Sequence, residues 1–393
     1  MKLLFDINEV MDKYDAVALF SGGLDSILAM RVIMDQGLRV LGLHFVSPFF
    51  GEPQSIAKWR ELYGVEVRAV DISEEIIELI QKGPKNGFGS DLNPCTDCHT
   101  LMATKAREIM EALHAKFIIS GEVLWQRPMS QRPDAMNIVH RDAKAKGILL
   151  RPLTALKLEP TEVEKSGLVD RSKLLGIYGR GRLDQLQLAQ SYGFKEVPSS
   201  GGGCILTEPK SSVRIWTIFH ELEHPTSEDF LLAKAGRFFH YKGCILAINK
   251  TLDQAQLLEN CAKDRDIVLE LADYMGPLAV GRSEKPWDEA VVAQAAALMA
   301  SYANKAVRNL PAGTPLRVSV KHNKEERFIS VLPSRDTIFK EASREEMAAS
   351  LKQVNKAMTD QRLAAKKEKF YTWISRKEYQ RQRAREETEN KKE

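Results

Sequence analysis

Two stretches of this chain combine residue types that can do chemistry. The first, Ser21-Gly22-Gly23-Leu24-Asp25-Ser26, lies between an apolar run, Asp15 to Phe20, and a helical pattern, Leu24 to Gln36. Strand, tight loop and helix follow from that order of apolar and small residues. Adjacent glycines let the backbone come close to a ligand, and the helix beyond them begins with unpaired N–H groups and a partial positive charge. The result is a cradle for an anion. Ser21 and Ser26 can hydrogen-bond phosphate oxygens there, and Asp25 can help to hold Mg²⁺. No Gly-Lys-Ser/Thr ending follows, which argues against the ordinary P-loop of nucleotide triphosphatases.

The second stretch is Asn93-Pro-Cys95-Thr-Asp-Cys98-His99, preceded by a loop, 82–91, with three glycines. A Cys-x-x-Cys pair at a helix start turns both sulfurs toward one centre, and the helix N-terminus favours thiolate over thiol. Cys204 ends Ser199-Ser-Gly-Gly-Gly-Cys204, a loop so rich in glycine that its backbone must approach something closely or adopt positive φ. A redox dithiol, a zinc site with His99 as fourth ligand, and an iron–sulfur site are all compatible with this set. Three thiolates would leave one iron of a 4Fe–4S cluster without a protein ligand. Cys244 and Cys261 lie in apolar surroundings and are expected in the core.

The elements that must position these residues read as β/α units. Strands are expected at Ala16 to Phe20, Arg39 to Phe45, Glu66 to Ile72, Lys116 to Glu122 and Gly147 to Leu153, with helices between them near Ile56 to Tyr63 and Ser73 to Gln81 and a long one ending near His114. Alternation of this kind implies an α/β fold with a doubly wound parallel sheet and a ligand at the carboxyl ends of its strands. His44, beside an apolar strand end, reads as a packed or solvent-facing side chain. Pro160-Thr-Glu-Val-Glu reads as a helix start with proline near its first position. Ile177-Tyr-Gly-Arg180-Gly-Arg182 carries two arginines on a glycine-rich turn, suited to a phosphate or to solvent. The catalytic unit is expected to span 1–210, with 156–200 as a helical extension. Beyond it, 211–340 reads as a separate α+β domain: a hairpin over Gly236 to Asn249, a helix over Gln254 to Lys263, strands at Asp266 to Leu271 and Arg317 to Lys321, and a long helix over Trp287 to Val307. The last part, 341–393, reads as a charged helix in which Lys369 and Arg376 interleave with Phe370, Tyr371 and Trp373, a mixture that suits RNA or a solvated helix docking its aromatics.

Length and composition set the frame. At 393 residues, 44% hydrophobic and 28% charged, the chain has room for two or three domains with real cores. Acidic Asp6 comes too early for a secretory leader, no apolar run is long enough to span a bilayer, and five unevenly spaced cysteines fit a reducing compartment. Cytoplasm is the expected location. A net charge of +4 is too small to argue for nucleic acid by itself.

The Ser21–Ser26 hexapeptide resembles the pyrophosphate-loop (PP-loop) signature of ATP pyrophosphatases, which cleave ATP between the α and β phosphates and adenylate a carbonyl oxygen. A PP-loop followed by Asn-Pro-Cys-x-x-Cys and a later glycine-flanked cysteine is similar to the tRNA thiolation enzymes, the 2-thiouridylases and 4-thiouridine synthases. Gly121-Glu-Val-Leu-Trp125-Gln126-Arg-Pro-Met-Ser130-Gln131 resembles the Gly-Asp-Ser-Leu-Gly-Gln-x-x-Ser-Gln segment of the latter, with Trp125 where that family has glycine. The resemblance covers roughly residues 10 to 210. It implies an ATP-dependent tRNA sulfurtransferase, with ATP on Ser21, Gly22, Gly23, Asp25 and Ser26 and with Gln126 and Ser130 lining the nucleotide site. It also implies a role for Asp25, Cys95, Cys98 and Cys204 in catalysis, through a 4Fe–4S cluster on the three cysteines or a persulfide on Cys98 or Cys204. Sulfide or a cysteine desulfurase would donate the sulfur, and a homodimer is compatible. The usual N-terminal RNA-binding extension of 4-thiouridine synthases is not seen before the PP-loop, so Arg180, Arg182, Lys369 and Arg376 become candidates to grip tRNA. The run from Gly236 to Pro277 resembles the RNA-binding module of the NFACT family. Two rival readings use the same residues: a PP-loop ligase amidating a small molecule with zinc on the cysteines, and an RNA-binding adaptor with a vestigial ATP site. Intact Ser21, Gly22, Gly23, Asp25 and Ser26 argue against decay.

Overall fold

Alternation of small apolar residues along one strand decides how the first sheet is covered. In β2 (Ala16–Leu19), Ala16 and Ala18 join one apolar cluster and Val17 joins another, so both faces are buried. A strand apolar on both faces belongs inside a parallel sheet with helices on either side. The computed structural model has that arrangement. It describes residues 1–364 apart from 90, 199–203, 304–309 and 312.

The first sheet is built from β1 (Lys2–Leu3), β2, β3 (Val40–Val46), β4 (Glu66–Asp71), β5 (Phe117–Ser120) and β6 (Leu149–Leu150) in the order β1-β4-β3-β2-β5-β6. All neighbours are parallel except β1, an antiparallel edge strand on β4 that no sequence pattern announced. From β2 the chain winds outward through β3 and β4, then returns to lay β5 on the other side of β2. That reversal opens a crevice at the carboxyl ends of β2 and β5. Helices α1 (Leu24–Met34), α2 (Ile56–Tyr63), α3 (Ser73–Lys82), α4 (Cys95–Ala112) and α5 (Pro133–Asp142) make the connections. The doubly wound α/β reading of this part therefore holds.

The 156–200 region packs on α1. Val163, Val169, Leu174 and Ile177 enter the same cluster as Ile27 and Met30, together with Ala189. It contains α6 (Glu162–Lys165) and α7 (Leu183–Ser191). Thr161, not Pro160, starts α6: its hydroxyl and the Glu164 carboxylate form a capping box, which leaves Pro160 outside the helix.

Downstream come α8 (Pro209–Glu221), α9 (Asp229–Leu232), β7 (Arg237–Tyr241), β8 (Cys244–Ile248), α10 (Leu252–Cys261), β9 (Ile267–Leu271), β10 (Ala279–Ser283), α11 (Glu289–Ala300), β11 (Leu316–His322), β12 (Glu325–Val331) and β13 (Lys340–Glu341). The strands form one antiparallel sheet, β12-β11-β9-β10-β8-β7-β13. Lys242 and Gly243, both at positive φ, make the two-residue turn of the expected hairpin. Cys261 is buried and Cys244 packs at the edge of the apolar cluster beneath α11. A helix runs over 344–364 in the tail, and its Met347 and Leu351 share an apolar cluster with Ile76 and Ile77 of α3 and Val213 of α8. Lys369 and Arg376 lie outside the described residues. Among the described residues no helix is long and apolar enough to cross a membrane.

The second sheet holds one fully buried cation. Arg282, 1% exposed, donates to Asp266 at 2.9 and 2.6 Å, to Asp229 at 2.9 Å and to the Cys261 carbonyl at 2.7 Å, tying β10 to α9 and to the end of α10. Arg282→Met would leave two carboxylates buried without their cation and is expected to cost about 3–5 kcal/mol of stability, read as a shift of the urea unfolding midpoint; an unchanged midpoint would contradict this account.

Candidate functional site at the strand ends

Gly22 takes φ +79, and a Cβ there would stand 2.2 Å from the Trp59 ring. Only glycine fits between that ring and the ligand side of the loop. Trp59 is held in turn by edge contacts to Phe20 and His44, with ring centroids 5.2 and 4.9 Å away. His44 is a packed residue. Glu52 N–H donates to its Nε2 at 2.8 Å, so Nδ1 carries the proton and donates to the Phe20 carbonyl at 3.0 Å, while burial lowers the pKa.

Within the loop, Ser21 Oγ accepts from Gly23 N–H at 3.3 Å and donates to Ser26 Oγ at 3.3 Å, and Ser26 Oγ donates to the Gly23 carbonyl at 2.8 Å. Gly23 is the N-cap of α1 and offers no side chain to its first N–H groups. Those donors stay available for an anion. Asp25 accepts from Gln126 Nε2 at 2.7 Å through Oδ2, and Gln126 Oε1 accepts from Gln185 of α7 at 3.0 Å. Around this chain three buried polar atoms have no partner: Asp25 Oδ1, Gln185 Oε1 and Arg182 Nε. Clustered unsatisfied groups of both signs mark a place where a charged ligand completes the bonding. Arg182 is the N-cap residue of α7, one turn before Gln185, and Arg180 is exposed on the turn that precedes it. Ser130 is buried, yet among the described residues no hydrogen bond joins it to the Ser21–Ser26 loop.

The three cysteines converge. Cys95 and Cys98 open α4, Cys204 follows the glycine-rich loop, and Cys98 and Cys204 both pack on the cluster of Leu92, Leu206 and Phe49. The expected thiolate preference is corrected here. Burial first, and then the neighbouring sulfurs, raise the Cys98 thiol well above its usual value and push Cys204 up to about 11. Desolvation outweighs the helix terminus. The three sulfurs do not all lie within 4.8 Å of one another, wider than the ~3.8 Å between sulfurs on a tetrahedral zinc with Zn–S near 2.3 Å. His99 Nδ1 meets Glu122 Oε1 at 2.8 Å, which orients the ring from the side of β5.

Glu122 belongs to a buried charge network that the sequence did not advertise. Arg151, 2% exposed, donates to Glu122 at 2.8 Å and also to His140 Nε2. Burial alone would raise the Glu122 carboxyl, but Arg151 and His99 overcome it and hold the group well below the usual carboxylate range. The network ties α4, β5, β6 and α5 beneath the cysteine site. Charged residues after β5 and β6 were the only clue.

The loop after β5 links the two motifs. Gln126 reaches Asp25, while Met129 Sδ lies 3.6 Å from Asn93 Nδ2, which also lies 3.6 Å from Cys95 Sγ. From the other side the 344–364 helix holds the glycine loop ahead of the cysteines. Asn355 accepts from Phe88 N–H at 2.7 Å and donates to the Phe88 carbonyl at 3.1 Å, and a Cβ at Gly87 would stand 2.9 Å from Asn355 Oδ1. Asn86 in that loop donates twice to Asp97, between the cysteines, at 2.8 and 3.1 Å.

Fold, glycine loop and first-turn N–H groups together define a PP-loop α/β domain. Residues 12–165 match the family model described as Thiamine biosynthesis protein (ThiI). A probable tRNA sulfurtransferase of Levilactobacillus brevis is 31% identical over 38% of this chain and 36% of its own. One of Thermococcus kodakarensis is 29% identical over 41% of each chain. A tRNA-specific 2-thiouridylase MnmA of Nitratidesulfovibrio vulgaris is 34% identical over 22% of this chain and 26% of its own. The N-terminal part of the chain is a PP-loop α/β domain similar to those of the tRNA sulfurtransferases and 2-thiouridylases. The chain spans between about a quarter and two fifths of the length of these curated relatives.

Two outcomes follow from this geometry. Burial, and then the Arg151 guanidinium, push His140 from 6.5 down to about 4. The unfolded chain takes up that proton first, so the stabilisation is complete above pH 6.5 and falls away toward about pH 4. His140→Gln is expected to flatten this part of the stability profile in urea titrations at stepped pH. Asn355→Leu removes two hydrogen bonds of about 1 kcal/mol each and should speed alkylation of Cys95 and Cys98 roughly thirty-fold, with Cys244 unchanged, as followed by peptide mass spectrometry.

Proposed function

We propose that the chain is an ATP-dependent tRNA sulfurtransferase that thiolates a uridine. One observation carries this reading: a single loop, 121–131, touches Asp25 of the PP-loop through Gln126 and the cysteine segment through Met129 and Asn93. In this reading the loop joins the site that activates a carbonyl to the segment that carries the sulfur chemistry. The relatives' names support tRNA as the substrate class.

In this reading ATP lays its phosphates on Ser21, Gly22, Gly23 and Ser26, with Mg²⁺ at the unpartnered Asp25 Oδ1. The uridine carbonyl oxygen attacks the α phosphorus, pyrophosphate leaves, and the base carries AMP on that oxygen. A sulfur nucleophile then adds to the activated carbon and AMP departs with the former carbonyl oxygen. The first-turn N–H groups of α1 and Arg182 stabilise charge that develops on the phosphates, and Gln185 and Gln126 keep Asp25 aimed. Cys95, Cys98 and Cys204 form a soft set of three sulfur donors, which fits a 4Fe–4S cluster. When bound, such a cluster supplies an iron without a protein ligand as a position for sulfur. Residues 1–210 form the catalytic unit, and the parts beyond, with Arg180, contribute RNA contacts. A tRNA substrate and free thiols suit the cytoplasm.

The test measures pyrophosphate release with and without tRNA, thionucleosides in the product, and iron and sulfide in protein purified without oxygen. Release stimulated by tRNA and about four irons and four sulfides per chain, lost in Cys204→Ala, are expected. Release indifferent to tRNA would move the substrate to a small molecule, and zinc or no metal would remove the cluster while leaving adenylation.

A further inference from the structure

Trp125 stands at φ +66, a region that bulky side chains rarely occupy, and it is 48% exposed. The backbone there is not loose. Trp125 N–H donates to the Gln131 carbonyl at 2.7 Å and Gln126 N–H to the Val123 carbonyl at 3.1 Å, closing the loop on itself. The next side chain, Gln126, turns inward to Asp25. A strained aromatic is thus presented to solvent one residue from the side chain that reaches the PP-loop, where glycine would remove the strain and a buried position would reward the ring.

A second exposed ring lies on the segment that pairs with the preceding residue, Leu124. Leu124 pairs with Tyr178 in a parallel bridge, reinforced by Gly179 N–H to the Leu124 carbonyl at 2.7 Å, and Tyr178 is 63% exposed. Lys157 Nζ lies over the Tyr178 ring at 5.4 Å, and exposed Arg180 follows two residues later. A Cβ added at Gly179 or Gly181 would meet nothing within 4 Å, so the turn is open to a ligand. Exposed rings with cations among them match bases flanked by phosphates.

We infer that Trp125 and Tyr178 form a platform that receives an unstacked base of the RNA substrate at the mouth of the PP-loop site, with Lys157 and Arg180 on its flanking phosphates. This rests on the proposed function for the identity of the RNA. The platform sets which nucleotide reaches the adenylation site, because a base held on Trp125 is one residue from the group that orients Asp25.

The test compares full-length wild type with Trp125→Gly, Trp125→Phe and Tyr178→Ala by fluorescence anisotropy of end-labelled tRNA, by ATP binding at equilibrium and by thermal melting. Trp125→Gly should weaken tRNA binding roughly 5- to 100-fold, the worth of one base stack, while ATP affinity is unchanged and the melting temperature is unchanged or higher. Trp125→Phe should retain most of the binding, and Tyr178→Ala should weaken it. Equal tRNA affinity in wild type and both deletions would overturn the platform alone. Loss of ATP affinity with tRNA binding intact would also overturn it, since the ring would then cover adenine. A wild-type chain that binds no tRNA would sink the proposed function itself.

Discussion

A Cβ at Gly121 would stand 2.7 Å from the backbone of Asp25 and Ser26, so the end of β5 and the first turn of α1 meet with no side chain between them. That contact sits at the reversal of strand order, where β2 has β3 on one side and β5 on the other. It brings the loop after β5 within reach of the PP-loop, and the Gln126–Asp25 hydrogen bond depends on it. Trp59 exerts a matching constraint from beneath, because its ring occupies the volume that any side chain at Gly22 would need. Two glycines thus hold the anion cradle by what they lack.

From this junction the structure extends in two directions. Toward α7, Gln126 and Gln185 carry the bonding into the helical region after β6, which closes one side of the crevice and supplies Arg182. Toward α4, Met129 and Asn93 carry it to Cys95. Beneath both, Arg151 gathers Glu122 and His140, while Glu122 also holds His99 on the helix that bears the cysteines. Buried charges of this kind are stable only when each finds its partner, so the network fixes where α4 begins relative to β5.

The 344–364 helix alters the meaning of the C-terminal part. It is no detached tail: Met347 and Leu351 enter the apolar cluster that also holds Ile76 and Phe49, and Asn355 fastens Phe88. Gly83 and Gly87, which read as loop glycines, are the residues that let this helix approach, since side chains there would meet Met358 and Asn355 at 2.9 Å. The antiparallel sheet between them keeps its own core under α11 while sharing the other face, through α8, with the first sheet's α3.

Local pattern alone determined the strand, Gly-Gly loop and helix around Ser21, the Cys-x-x-Cys at the start of α4 and the β/α alternation, because each depends on neighbours a few residues apart. The hairpin at Lys242-Gly243 was legible for the same reason. Some short elements were not: β1 and β13 have two residues each, too few for any periodicity, and exist through pairing with distant strands. Tertiary structure decided that Trp59 sits under Gly22, that His99 turns to Glu122, that burial raises the thiol pKa of Cys98 and Cys204, and that Asn355 reaches back 267 residues to Phe88. Those outcomes depend on which groups lose water and which meet across the chain, and neither quantity exists until the two sheets have packed.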